Sequence, residues 1–207
     1  MKKGQLYHTA LADGEKVITA PASFYGKNDS LVFQLHLLTL HQLPSVYERC
    51  GILYTELPFP QGFKVFNERA GVKEEATYKH FITHIDKLVV ASGKPALLIA
   101  GKVAMTHCVS KVGWFVTKIR GTKAFCAVYG EGVEWANGTD EEIIKDIAIR
   151  YDCVGDFACG YGRTGRTAWE YGKSFIMSDY NRQCVGVCKG WMQAEGGVLW
   201  AEKRDTI

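Results

Sequence analysis

The stretch from Asp156 to Asp179 constrains this chain more than any other. It holds an acidic residue, a glycine-rich turn (Gly160, Gly162, Gly165), a helix-sized interval, Gly172, a short apolar run and a second acidic residue. Glycines in such a turn let the backbone bend sharply and approach a ligand that side chains would block. Asp179 follows Gly160 by 19 residues, near the roughly 20-residue interval at which a strand-end carboxylate reaches ribose hydroxyls. The flanks suit this device: 151–157 reads as a strand, 164–171 as a helix and 173–178 as a second strand ending at Asp179. A nucleoside-binding β-turn-α-β unit of an α/β protein is expected.

Two cofactor classes fit, a nicotinamide dinucleotide and S-adenosylmethionine. A dinucleotide fold puts its glycine loop early and follows it with a long βαβ series, whereas only 42 residues follow Gly165. Asp156, four residues ahead of Gly160, also suits a ligand with a cationic part better than a pyrophosphate, which wants helix N–H groups and no extra anion. The balance favours S-adenosylmethionine; a dinucleotide-dependent oxidoreductase is a distant third function class.

The run DFACGYGRTGRTAWEYGKSFIMSDYNRQCV, residues 156–185, resembles the cofactor motif of the DNA amino-methyltransferases that modify adenine or cytosine. That motif reads approximately D-P-F-x-G-S-G-T-T-G, a helix, then G-R-x-F-I-G-x-E/D-x-N-x-x-x-V. The chain matches it without a gap at Asp156, Gly160, Gly162, Thr164, Gly165, Gly172, Phe175, Ile176, Asp179, Asn181 and Val185. It departs at Phe157 and Ala158, where the family has Pro then Phe, and at Arg163. The resemblance implies cofactor binding by Asp156, Phe157, Ala158, Gly160, Gly162, Thr164, Asp179, Tyr180 and Asn181. Asp156 and the glycine loop would hold the methionine part, and Asp179 the ribose hydroxyls.

One permuted branch of that family places its catalytic strand before its cofactor strand, and this chain has the same order. Residues 51–55 form an apolar strand candidate that runs into Glu56-Leu57-Pro58-Phe59, similar to the family's D-P-P-Y/F/W catalytic tetrad. After it come a polar, flexible-looking stretch (60–72), a helix (78–90), a buried strand (95–100), a hairpin (114–118 with 124–129) and a capped helix (139–150). The resemblance thus covers roughly 31–190 and implies a three-layer, Rossmann-like methyltransferase fold with a mostly parallel seven-stranded sheet. By the same resemblance, Glu56 and the Leu57 carbonyl accept the target amine's hydrogens and Phe59 stacks on the extruded base. Leu57 lacks proline's fixed φ, and Glu56 puts its carboxylate on a longer arm than aspartate. In a related RNA-adenine methyltransferase pair a glutamate-led tetrad marks the non-catalytic subunit. The rival to an enzyme is therefore an inactive module of the same fold, binding cofactor or serving as a partner subunit.

The rest of the chain bounds these readings. A single domain is expected over 1–207, with 47% hydrophobic residues to build its core. With no signal-peptide pattern or long uncharged apolar run, a cytoplasmic protein without a membrane partner is expected. The seven cysteines lie mostly in apolar runs, as reduced thiols do. His80 and His84, and Cys184 and Cys188, have helical i,i+4 spacing, but no third ligand is in register, so no metal is assigned. Cys159 sits in the cofactor turn, where small size explains it better than a nucleophile's role.

A net charge of +3 permits nucleic-acid binding, DNA before RNA, without demanding it. Basic residues gather at Lys111, Lys118, Arg120 and Lys123, and at Arg163, Arg166 and Lys173. No room exists between the tetrad and the hairpin for a large target-recognition domain. Specificity would then come from 1–30, the stretch 60–73, the hairpin or a partner, which includes a second copy of the chain. In the first part of the chain, 16–22 reads as an edge strand, 23–30 as a loop, and 31–43 as a strand or helix against the sheet.

Overall fold

The protein is described by a computed structural model covering residues 24–25, 30–34, 47–69, 77–131, 133, 138–179, 181–195 and 198–199. Of residues 24, 25, 31, 33, 34, 66, 67, 69, 198 and 199 it describes only the backbone. The strands are β1 (Phe24–Tyr25), β2 (Leu31–Gln34), β3 (Ile52–Glu56), β4 (Ala96–Ala100), β5 (Gly113–Ile119), β6 (Thr122–Tyr129), β7 (Cys153–Asp156), β8 (Ser174–Asp179) and β9 (Val198–Leu199). The helices are α1 (Pro60–Arg69), α2 (Tyr78–Ser92), α3 (Lys102–Met105), α4 (Asp140–Arg150), α5 (Arg163–Glu170) and α6 (Arg182–Ala194).

Among the described residues the strands form one sheet in the order β5-β6-β4-β3-β7-β8-β2-β1-β9. The central run β4-β3-β7-β8-β2 is parallel, and the β5–β6 hairpin joins it antiparallel through β6. The expected count of seven is corrected to nine, because the two-residue strands β1 and β9 extend the edge beyond β2. β1 falls within the stretch read as a loop; Phe24 and Tyr25 pair with Val32 and Leu31 there. The expected edge strand at 16–22 lies outside the described residues, as does 31–43 beyond Gln34.

Period-two alternation builds three layers from this sheet. Leu53, Ala96, Leu98, Ala100, Ala127, Tyr129, Cys153 and Ile176 pack in one core with Phe63 of α1, Phe81, Ile82 and Ile85 of α2, and Ala104 of α3. Ile52, Tyr54, Leu97, Ile99, Cys126, Val128, Val154, Phe175 and Met177 face the other core, with Ile143, Ile144 and Ile147 of α4, Ala168 of α5, and Val185, Cys188 and Met192 of α6. Strands buried on both faces explain the continuous apolar runs of β4 and β8. No described helix is long and apolar enough to cross a membrane.

Local chemistry sets the ends of these elements. Thr139 and Glu142 form a reciprocal capping box at the start of α4, and Gly93 ends α2 in the left-handed region at φ 62°. The stretch expected to be flexible after Phe59 is instead helix α1. Pro60 occupies its first position, where proline's missing N–H costs nothing. Phe63 anchors the helix against Phe81, ring centroids 5.0 Å apart, and edge-on to Tyr78 at 5.4 Å.

Candidate active site

The neighbours β3, β7 and β8 are parallel, and each carries a carboxylate at its C-terminal end: Glu56, Asp156 and Asp179. Ligands of open α/β sheets bind outside this edge. A cavity of about 740 Å³ opens there, within the roughly 300–1,000 Å³ typical of ligand sites. Its walls include Glu56, Leu57, Pro58 and Phe59 together with Asp156, Ala158, Gly160, Thr164, Asp179 and Asn181. Two motifs some 100 residues apart in sequence thus share one cavity.

Asp156 is 3% exposed and Asp179 6%. The Thr55 hydroxyl donates to Asp156 Oδ1 at 2.8 Å and the Ala158 N–H at 3.2 Å. Burial pushes the Asp156 carboxyl up to about 7, opposed by Thr164, Thr55 and the Ala158 N–H, while Glu56 adds to the rise. Asp179 Oδ2 accepts from the Gly160 N–H and Oδ1 from the Asn181 N–H, each at 2.8 Å. Burial raises it to about 6 despite both donors. The Gly160 bond ties the turn after β7 to the end of β8, so the two acids and the loop form one unit.

The tetrad is held from several sides. The Leu57 N–H, which a proline would lack, donates to the Ile99 carbonyl at 2.8 Å and extends the β3–β4 pairing past the strand end. The Tyr78 hydroxyl donates to the Pro58 carbonyl at 3.0 Å. Phe59 lies over Gly101, where an added Cβ would stand 2.7 Å from its Cδ1. At Glu56, Oε1 accepts from the Tyr54 hydroxyl at 3.0 Å and from Arg163 Nη2, which also donates to Asp140 Oδ2. Burial works against the Arg163 charge, but Glu56 and Asp140 outweigh it and raise its pKa.

Not every expected residue lies on the cavity. Phe157 turns into the core, 4% exposed and edge-on to Tyr47 at 6.4 Å. Gly162 is the cap of α5 at φ 82°, and a Cβ there would meet Cys188 Sγ at 2.7 Å. Its work is to set the helix against α6. Tyr180 lies outside the described residues. His80 is exposed on α2, whereas Cys184 and Cys188 are buried on α6. Cys159 lines the cavity, its Sγ donates to the Gly160 carbonyl at 3.7 Å, and the neighbouring Cys188 thiol together with burial raises its own thiol well above the usual value, which suits a space-filling role.

Sequence reasoning missed Thr55, Tyr54, Asp140 and the inward role of Arg163. Tyr54 was within reach, because residues two apart on a strand share a face. Arg163 and Glu56 are 107 residues apart, and nothing in their local patterns links them. The rim adds Arg120, Tyr161 and Arg166. Tyr161 is 57% exposed, and the Arg166 guanidinium lies 5.4 Å from the Trp191 ring centroid.

No protein-family model matches the sequence, and no curated protein does either. Solved structures are similar in fold. M1.HpyAVI in complex with S-adenosylmethionine superposes with a TM-score of 0.51 at 8% identity, over 77% of this chain and 98% of that one. M1.HpyAVI alone gives 0.51 at 9%, over 77% and 96%. TTHA0409 of Thermus thermophilus, complexed with S-adenosyl-L-methionine, gives 0.48 at 9%, over 75% and 91%. With its parallel central strands, antiparallel hairpin and helices on both faces, the chain has the three-layer, Rossmann-like α/β fold of the methyltransferases.

Proposed function

We propose that this protein transfers a methyl group from S-adenosylmethionine to the exocyclic amine of a nucleic-acid base, adenine in DNA. The observation that carries this reading is the single cavity that joins Glu56 to Phe59 with Asp156, the glycine loop and Asp179. Its residues fit the cofactor. The buried Asp156 carboxylate suits the ammonium of the methionine part. Asp179, fixed by two backbone donors, keeps lone pairs for two ribose hydroxyls. Bound S-adenosylmethionine supplies an electrophilic methyl group on sulfur. The protein's own share is to orient the acceptor: Glu56 and the Leu57 carbonyl accept the amine hydrogens, aim the nitrogen lone pair and stabilise the charge that develops on it. Phe59 stacks on the base and offsets part of the stacking lost on extrusion. Arg120 and Arg166 meet strand phosphates at the rim. The order of the two motifs matches the permuted branch of the amino-methyltransferases.

The partner is then DNA, and the neighbour M1.HpyAVI, solved with S-adenosylmethionine, supports the cofactor choice. A second reading has its own observation: Arg163 and Tyr54 already occupy Glu56 Oε1, as they would in a module that binds cofactor without turnover. Incubation with labelled S-adenosylmethionine and unmethylated DNA or RNA separates the two. Label on DNA that is lost in Glu56→Ala and in Asp179→Ala supports the enzyme. Cofactor binding with no transfer to any nucleic acid leaves the module.

A further inference from the structure

We infer that Arg163 is a positioning residue that lets a glutamate serve as the amine acceptor, a step that rests on the reading just given. Glutamate has one more side-chain torsion than aspartate, and holding it in one rotamer costs more entropy. Here the cost is met by a relay of fixed groups. Asp140 is 4% exposed in the first turn of α4, and its Oδ2 accepts from Arg163 Nη2. The same nitrogen donates to Glu56 Oε1, and the buried Tyr54 hydroxyl donates to that oxygen at 3.0 Å.

Both donors thus engage one oxygen of Glu56. Among the described residues no donor engages Oε2, and Glu56 lines the cavity. The acceptor for the base amine is therefore Oε2, held by restraints on its twin. Arg163 reaches Glu56 because it is the first residue of α5, directly after the Gly162 cap. Glu56 and Arg163, two of the positions at which the chain departs from the tetrad and glycine-loop patterns, thus meet each other directly.

The test uses the full chain and a single-stranded DNA oligonucleotide with one adenine, beside the same strand carrying purine, which lacks the amine. The wild-type protein is expected to bind the adenine strand about tenfold better than the purine strand, and Arg163→Met to reduce that ratio to about twofold or less. Affinity for S-adenosylmethionine stays within about twofold, because the Arg163 guanidinium is bonded to Glu56 and Asp140 and not to Asp156 or Asp179. In single-turnover methyl transfer, Arg163→Met lowers the rate about 30-fold or more. The same change made in Glu56→Asp, whose carboxylate is drawn back from the guanidinium by one methylene, is expected to cost about threefold or less.

A wild-type protein that does not distinguish adenine from purine, an Arg163→Met variant that keeps the ratio, or losses that add in the double variant would each overturn the inference. Loss of the ratio in Arg163→Met with no transfer by the wild type would uphold the positioning role and remove the enzyme reading instead.

Discussion

Asp156 carries a pH dependence that follows from its burial. Its folded-state pKa of about 7 stands above the usual 3.8, and Asp179 stands at about 6. The folded protein therefore holds more protons than the unfolded chain between those limits. Stability of the cofactor-free protein falls as pH rises through this window, from about 4 to about 7, and levels off above it. Thermal unfolding at about pH 5 and about pH 8 checks this: Tm is expected to be higher at the lower pH, and Asp156→Asn to shrink the difference. Equal Tm values in the wild-type protein would contradict the burial argument. Cofactor affinity is expected to move the other way, rising with pH up to about 7, because a bound ammonium group needs the ionised carboxylate. Asp179→Ala removes a charged acceptor of two hydroxyls and is expected to weaken S-adenosylmethionine binding by about 10- to 100-fold in calorimetry. The acids were legible as residues because their spacing to the glycines is local. The relay through Arg163 was not, because it joins groups from β3, α4 and α5 that only tertiary packing brings together.

Two glycines carry predictions at the scale of elements. At Gly165 an added Cβ would stand 2.4 Å from Met177 Sδ and 3.2 Å from Phe175 Cδ2, so α5 lies directly on β8. Gly165→Ala is expected to destabilise the fold by about 1–3 kcal/mol in denaturant unfolding, through overpacking between helix and strand. Gly101→Ala acts elsewhere, because its Cβ would displace the Phe59 ring. Methyl transfer is expected to fall about 10-fold or more with a far smaller loss of stability than Gly165→Ala shows. Equal effects of the two changes on Tm and turnover would contradict this division. Most strand and helix positions along 78–179 were readable because alternation and caps are local signals: the hairpin, the buried β4 and the Thr139 cap all lie within a few residues of where the pattern places them, whereas the four-residue helix α3 was not expected. Helix α1 was misread because its polar face dominates the sequence, while its hold on the fold is Phe63 packed against Phe81 and Tyr78.

At the scale of the molecule, sheet order turns a scattered sequence into a site. β3 and β7 are separated by nearly 100 residues yet pair in register, Ile52 with Val154 and Leu53 with Gly155. That pairing brings Glu56, two residues beyond the level of Asp156, to the same edge of the sheet and the same cavity. The β5–β6 hairpin brings Arg120 to the rim of the same cavity, at φ 48° in its two-residue turn with Gly121. Arg120→Ala is expected to weaken DNA binding about equally for all sequences and to lower the salt slope by about one. An unchanged slope would remove the hairpin from the DNA interface. The sequence could name the two motifs but not their meeting, since strand order follows from packing across the whole sheet. The central claim, that the shared cavity moves a methyl group onto adenine, is tested most directly by digesting DNA after incubation with S-adenosylmethionine and identifying the nucleosides by mass spectrometry. N6-methyldeoxyadenosine from the wild-type protein, and none from Glu56→Ala with cofactor still bound, is the expected result; no methylated nucleoside from the wild type at saturating cofactor, or the same yield from Glu56→Ala, would contradict it.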